Sequence, residues 1–236
     1  AEREADCIRR LLARQVDGLF IPPVYRPDPS AGIYVELKKR KTPTVILGHR
    51  ALFCSDFPNV ETDDLAAAKA VTQHLLDLGH RRIACLTGPI FAPWAQERYE
   101  GYRRALTDHG LEVDEKLVFQ AGATIEEGAA AALQFINEQP KATAMIAAND
   151  LVAFGAANTL LDQGISIPQD LSVAGFGNVL SAEYFRVPLT TVRQPKYRRG
   201  LAAMESMKSL LAGESVSPKR LPAELAIRKS TAAPAV

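Results

Sequence analysis

The chain has 236 residues, of which 47% are hydrophobic, and its formal net charge is +1. This composition is typical of a soluble globular protein with one large domain or two lobes. It argues against two classes of function for the chain by itself. A net charge near zero does not supply the basic face that grips DNA, and no apolar run reaches the roughly 20 residues that span a bilayer. Three cysteines without metal spacing favour a reducing compartment, and we expect a cytoplasmic protein.

The N-terminal segment alternates between helix and strand patterns. It predicts helices over 2–14 and 31–40, strands over 19–23 and 43–47, and a short edge strand at 60–61. A fold built of strand, helix, strand units should open with a strand, yet this chain opens with a helix. We therefore expect that the N-terminal part of a longer protein is missing.

The middle of the chain predicts a parallel sheet. Apolar residues recur every three or four positions over 65–78, which indicates a helix, and four continuous apolar runs end near Thr87, Gln120, Ala148 and Phe176. Each run follows a helix pattern, so the strands should be parallel and should end at one edge of the sheet. Ligands bind at that carboxyl edge in open α/β sheets.

The clearest strand, helix, strand unit lies between residues 144 and 176. A strand over 144–148 stops at Asn149, whose side chain is suited to capping the helix predicted over 151–163. Gly164 should end that helix in the left-handed conformation, and a second strand follows over 171–176. Both strands therefore finish on the same edge of the sheet.

Past Asn178 the pattern predicts a helical turn at 181–186, a β-branched run at 189–192, a helix over 200–212, a final strand over 221–228 and a frayed tail. These extra elements favour an α/β fold of two Rossmann-like lobes with parallel sheets.

We predict an incomplete N-terminal lobe made of residues 1–61 and 192–213. The predicted C-terminal lobe comprises 62–191 and 214–236.

Motifs for catalysis are absent from the sequence. It contains no GxSxG, no GxGxxG after a strand, no phosphate loop ending GK[ST] and no HExxH, and its four histidines are scattered. We therefore expect no catalytic residues, no metal site and no cofactor.

Arg98 is the leading candidate for a ligand contact. It is predicted in the first turn of the helix over 95–109, where a cation opposes the helix dipole. The functional interpretation is that its guanidinium binds hydroxyl, carboxylate or phosphate oxygens of a ligand at the carboxyl edge. The alternative is a surface ion pair with Glu97 or Glu100.

Three further residues have both a functional and a structural interpretation. Asn149 either reads a ligand hydroxyl or only caps its helix. Trp94, the only tryptophan, either stacks on a sugar or base or packs in the core. His49 lies at the carboxyl end of a predicted strand, where a ligand contact and a purely structural role are equally supported.

Several stretches together resemble the effector-binding domain of the LacI/GalR family of bacterial transcriptional repressors. They are, in order, VETDDLAAAKAVTQHLLDLGHRRIACLTGP, ERYEGYRRAL, TAMIAANDLVAFGAANTLLDQGISIPQDLSVAGFGN and PLTTVRQP. The resemblance covers nearly the whole chain. It implies a two-lobed fold like that of type I periplasmic binding proteins, a small-molecule effector in the interlobe cleft and a homodimer. It also implies operator DNA binding through an N-terminal helix-turn-helix that has no counterpart here.

The resemblance also implies which residues contact the effector. Arg98 matches the arginine of the family's ERxxGxxxAL motif, and Asn149 matches the polar residue before the aspartate at the strand end. Trp94 falls where a polar or small residue often touches ligand.

We also assign four further positions to the predicted ligand-binding site, where the sequence departs from the family pattern or flanks a departure. Gly177 replaces a frequent aspartate, Ala123 replaces a stacking aromatic residue, and His49, followed by Arg50, replaces another aspartate. The loss of two acidic positions suggests an anionic effector, such as a sugar phosphate or sugar acid.

We therefore predict the ligand-sensing domain of a transcriptional regulator. One alternative is a solute-binding protein of a sugar transport system, which would share the fold. Another is an enzyme, which would need a reactive group at the carboxyl edge of the sheet. The sequence leaves induction and co-repression as open alternatives.

Overall fold

The computed structural model describes residues 2–28 and 31–235 and divides the chain into two compact units. The first unit comprises the chain up to Asp63 together with Phe91–Trp94 and Pro195–Leu221. The second comprises Asp64–Ile90, Ala95–Gln194 and the chain from Pro222 onwards. Within the described ranges, no helix combines the length and apolar character needed to cross a bilayer.

Eight α-helices and ten β-strands follow one another in these ranges, with 3-10 turns at Leu52–Cys54 and Glu115–Leu117. In chain order they are α1 (Glu2–Ala13), β1 (Leu19–Ile21), α2 (Gly32–Arg40), β2 (Thr44–Leu47), β3 (Asn59–Thr62), α3 (Asp64–Asp77), β4 (Ile83–Thr87), α4 (Pro93–Asp108), β5 (Val118–Gln120), α5 (Ile125–Glu138), β6 (Ala144–Ala147), α6 (Asp150–Asp162), β7 (Ser172–Phe176), α7 (Ser181–Tyr184), β8 (Thr190–Arg193), α8 (Lys196–Leu211), β9 (Lys219–Leu221) and β10 (Glu224–Ala226).

The first unit is built on a parallel sheet, sheet A, with strand order β1-β2-β3-β9. Its two faces carry alternating residues, as the pleat requires. Ile46 of β2 packs with α1 and α2, whereas its neighbour Val45 packs with α8, and both side chains are fully buried. The prediction of an edge strand at 60–61 was wrong, because β9 pairs with β3 and makes it an inner strand.

The second unit is built on a six-stranded sheet, sheet B, with strand order β10-β8-β7-β6-β4-β5. All neighbours are parallel except β10, which runs antiparallel to β8. Helices α5 and α6 cover one face, and α3 and α4 cover the other. The prediction that four strands end along one edge of a parallel sheet is therefore confirmed.

Two segments near the end of the chain differ from the prediction. The final strand predicted over 221–228 is two strands, since Pro222 has no N–H to donate to a ladder and interrupts the run. Residues 219–221, which we assigned to the C-terminal lobe, pair with β3 in sheet A. Residues 192–193, which we assigned to the N-terminal lobe, lie in β8 of sheet B.

Helices α5 and α6 approach each other closely at Gly155. A Cβ atom added to Gly155 would lie 1.9 Å from the carbonyl oxygen of Ile125 and 2.8 Å from its carbon. Only a residue without a side chain fits at this contact. Gly155 is thus needed for the close packing of α5 against α6.

The C-terminal segment is bound to the second unit, which corrects the expectation that it is frayed. The N–H of Val173 donates to the Ser230 carbonyl at 2.8 Å. His80 Nε2 donates to the carbonyl of Ala232 at 2.8 Å, and His80 Nδ1 lies 2.8 Å from the Thr143 hydroxyl. Because a carbonyl can only accept, neutral His80 carries its proton on Nε2, and Nδ1 accepts from Thr143.

We expect the stability of the second unit to fall as the pH drops below about 6.5, the ordinary value for histidine. Burial lowers the pKa of His80, and burial also lowers that of His74 despite the opposing charge of Asp77. The unfolded chain therefore binds more protons than the folded one in this range, and protonation favours unfolding. Urea unfolding at pH 7.5 and 5.5 measures the effect.

His80→Gln should flatten this pH dependence, because glutamine does not titrate and its amide can still donate to the Ala232 carbonyl. Exposed Lys116→Gln is the matched control and should leave the pH dependence intact. If the stability of His80→Gln fell with pH as steeply as that of the wild-type chain, the pH dependence could not be assigned to His80.

Candidate functional site

The carboxyl edge of sheet B carries Arg98, which projects from α4. This helix begins at Pro93, two residues earlier than predicted, because proline is well suited to the first helical position. Arg98 therefore lies in the second turn rather than the first, where the helix dipole opposes a cation less strongly.

Arg98 is held by three groups of the second unit. Its Nη2 and Nε donate to Asp64 Oδ2 at 2.9 and 3.2 Å, and its Nη1 donates to the carbonyl of Ala148 at 2.6 Å. The guanidinium carbon lies 3.7 Å from the ring centroid of Phe176, within the range of a cation–π contact. Arg98 is only 13% exposed and Asp64 only 1%. The guanidinium is thus fixed over the ends of β6 and β7.

The ion-pair partner of Arg98 is Asp64, and not Glu97 or Glu100, the two partners suggested by the sequence. Glu100 instead accepts from Arg103 at 3.1 Å and from Arg104 at 2.7 Å. Glu97 accepts from the N–H of residue 65 at the start of α3, at 3.3 Å.

A small cavity of about 20 Å³ lies beside Arg98, between the helices α3 and α4 and the strands of sheet B. It has room for one water molecule and is far too small for a sugar. Burial raises the pKa of Cys85, which lines the cavity, to about 12, so its thiol stays protonated and is a poor nucleophile.

Asn149 connects two loops at this edge. Its Oδ1 accepts from the N–H of Val152 at 2.8 Å, which confirms the predicted cap of α6, and its Nδ2 donates to the carbonyl of Ala123 at 3.0 Å. The N–H of Ala123 in turn donates to Glu127 at 2.8 Å, and this contact lowers the pKa of the Glu127 carboxyl. Asn149 and Ala123 are therefore neighbours at the carboxyl edge of sheet B.

Gly177 contributes backbone only. Its φ of +135° is rarely adopted by residues with a side chain, and an added Cβ would lie 3.4 Å from Asp150 Oδ2. Asp150, the first residue of α6, accepts from the Val179 N–H at 2.8 Å and the Thr191 hydroxyl at 2.5 Å. An aspartate at position 177 would combine backbone strain with a second carboxylate beside Asp150.

The remaining three predicted residues belong to the first unit. His49 is buried at 6% exposure, and its carbonyl accepts from the Tyr25 hydroxyl at 2.8 Å. Exposed Arg50 donates to the carbonyl of Ser55 at 3.0 Å. Trp94 is the second residue of α4 and is partly buried. Of the seven predicted residues, the structure thus places Arg98, Asn149, Ala123 and Gly177 along the edge of sheet B.

A larger pocket of about 350 Å³ lies at the carboxyl ends of β4 and β5. Its volume is within the range of small-molecule sites. Its lining combines the ring of Tyr99 with the polar side chains of Gln96, Glu115 and Gln120, and it includes none of the seven predicted residues.

Parallel sheets covered by helices on both faces, with polar groups at the carboxyl edge, define a ligand-binding domain of the doubly wound α/β class. The family described as "Periplasmic binding protein-like domain" matches residues 72–231. The transcriptional repressor CytR of Escherichia coli is 30% identical over 234 residues, which are 98% of this chain and 67% of CytR. The chain belongs to the LacI family of transcriptional regulators, and it spans about two thirds of the length of this relative.

Solved structures support the same assignment. A complex of the regulator CelR with cellobiose matches with a TM-score of 0.86 and 31% identity, covering 96% of this chain and 69% of that protein. A LacI-family regulator from Enterococcus faecium with bound ribose matches with a TM-score of 0.83 and 27% identity, covering 98% of this chain and 85% of the other. The predicted fold class and family are therefore confirmed.

Proposed function

We propose that this effector-sensing domain binds a small hydroxylated molecule of the sugar class at the carboxyl edge of sheet B. The observation that carries the proposal is the fixed guanidinium of Arg98, which Asp64, Ala148 and Phe176 hold over that edge. A preorganised donor loses little freedom when a ligand oxygen approaches it. Cellobiose and ribose in the two similar structures support a sugar.

The effector contacts that we propose are Arg98 and Asn149, with the backbone of Ala123 and Gly177 shaping the edge. His49, Arg50 and Trp94 of the first unit stay predictions of further contacts. We propose binding without chemical conversion, because the sequence carries none of the catalytic motifs sought above and the named relatives are transcriptional regulators.

In the whole protein, we propose that effector binding alters the affinity for operator DNA. The named relatives are transcriptional regulators, and this supports a regulator over a transport protein. We propose further that DNA contacts come from a helix-turn-helix outside these 236 residues, and that the protein acts as a cytoplasmic homodimer.

A calorimetric titration of the chain with cellobiose, ribose, glucose and their phosphate or acid forms tests the proposal. We expect at least one of these compounds to bind, and to raise the melting temperature because it binds the folded state only. Arg98→Lys should weaken its binding by roughly tenfold or more, since lysine lacks the planar fork of donors.

Arg103→Lys is the matched control in the same helix. Its exposed ion pair with Glu100 does not involve the carboxyl edge of sheet B, so effector affinity should not change. Equal affinity of the wild-type chain and Arg98→Lys for the compound that binds would contradict the proposed contact. Failure of the whole panel to bind would contradict the sugar class.

A further inference from the structure

We propose that Asp64 makes the effector site selective for uncharged molecules over their phosphorylated or carboxylate-bearing forms. The inference rests on the proposed function and concerns the charge of its ligand. It differs from the sequence-based expectation of an anionic effector, which rested on the family's acidic residues that are absent at positions 177 and 49 and did not include Asp64.

The first step of the argument is the geometry of the ion pair. A single carboxylate oxygen of Asp64 accepts from both Nε and Nη2 of Arg98, at 3.2 and 2.9 Å. Asp64 is the first residue of α3, and that helix keeps its carboxylate in place beneath the guanidinium. The negative charge is therefore as well fixed as the positive one.

The second step is the local dielectric. At 1% and 13% exposure, the two side chains lie largely out of water, where dissolved salt screens charges little. An approaching anion would be attracted by Arg98 and repelled by Asp64, whose Oδ2 lies only 2.9 Å from Arg98 Nη2, so the two effects oppose each other. A neutral hydroxyl interacts mainly with N–H dipoles and loses little by this opposition.

A third observation concerns the rest of the edge. Asp150, also 1% exposed, places a second carboxylate near the end of β7 and beside Thr191 of β8. The carboxylates of Asp64 and Asp150 therefore both repel an anion that approaches Arg98. Asp64 is thus a specificity-determining residue that acts through Arg98.

Inorganic phosphate is the probe for this inference. Thermal unfolding is followed at pH 7.5 while phosphate replaces chloride at constant ionic strength. We expect weak phosphate stabilisation of the wild-type chain and an apparent phosphate affinity roughly tenfold higher for Asp64→Asn, because the amide removes the repulsion but keeps the shape. Adding Arg98→Met to Asp64→Asn should abolish the gain.

Asp162→Asn is the matched control, since Asp162 forms an exposed ion pair with Arg186 at 2.7 Å in the same unit. It should respond to phosphate like the wild-type chain. Should Asp64→Asn fail to fold, Asp64→Ser removes the same charge and suits a helix start. An unchanged phosphate response in the folded Asp64 variant would overturn the inference.

The sugar panel separates this inference from the proposed function. Binding of a neutral sugar without any gain of phosphate affinity in the Asp64 variant overturns only the role of Asp64. A phosphate gain without binding of any sugar supports the role of Asp64 and contradicts the sugar class. Tighter binding of ribose 5-phosphate than of ribose by the wild-type chain would overturn the inference directly.

Discussion

Replacing Arg98 with alanine should lower the free energy of unfolding by about 3–5 kcal/mol, because it removes the guanidinium that faces a buried carboxylate. Asp64 is 1% exposed, so water cannot easily take over the role of Arg98. The variant also loses the contact with Phe176 and the hydrogen bond to the Ala148 carbonyl. Urea unfolding followed by circular dichroism measures the change.

The double variant Arg98→Ala/Asp64→Ala separates charge burial from lost packing. It should be more stable than Arg98→Ala alone, since no buried carboxylate is left behind. Arg104→Ala breaks an exposed pair with Glu100 and should change stability by less than about 0.5 kcal/mol. If the single and double variants unfolded at the same urea concentration, the ion pair would not be the source of the effect.

Replacing Gly155 with alanine should destabilise the protein by about 3 kcal/mol, at the upper end of the usual cost of overpacking. The new methyl group would meet the backbone of Ile125 at 1.9 Å, and a backbone carbonyl cannot rotate away as a side chain can. Helices α5 and α6 would have to separate, and the core on that face of sheet B would loosen.

Gly200 is the matched control for this substitution. It also lies inside a helix, α8, but nothing is within 4 Å of an added Cβ. Gly200→Ala should therefore stabilise the protein by roughly 0.4–1 kcal/mol through helix propensity and a less flexible unfolded chain. Thermal unfolding of the two variants gives the comparison, and a gain of stability in both would contradict the close approach of α5 and α6.

The parallel strands of sheet B could be predicted because their signal is local. Residues such as those of β6 and β7 form continuous apolar runs, and each run is followed by a cap or a glycine that marks its end. Asn149 capped its helix as predicted, and Gly164 adopts a left-handed φ of +82°.

The pairing of β9 with β3 could not be predicted, because it joins segments 159 residues apart, such as Glu61 and Arg220. A three-residue strand has too short a pattern to indicate its sheet. The binding of Ser230 and Ala232 was missed for a similar reason, since a short segment rich in alanine and proline looks like a frayed end.

The candidate site was predicted only in part. Arg98 could be found because a cation near the start of a helix is unusual. Its helix also follows the strand that ends at Thr87, which places Arg98 near the carboxyl edge of the sheet. Asp64 was missed because an acidic residue at a helix start is expected there anyway, as a favourable partner of the dipole. Its partner lies 34 residues along the chain, and only the fold brings the two charges together.

The position of β9 in sheet A has a consequence for biosynthesis. Strands β4 to β8 are consecutive in the chain, so most of sheet B emerges from the ribosome as one continuous segment. Sheet A, although it starts first, must wait for residues 219–221 before its last ladder can form. During translation, the side of β3 that later pairs with β9 is therefore an unpaired strand edge. Until β9 is made, this edge is exposed to chaperones and to pairing with other nascent chains.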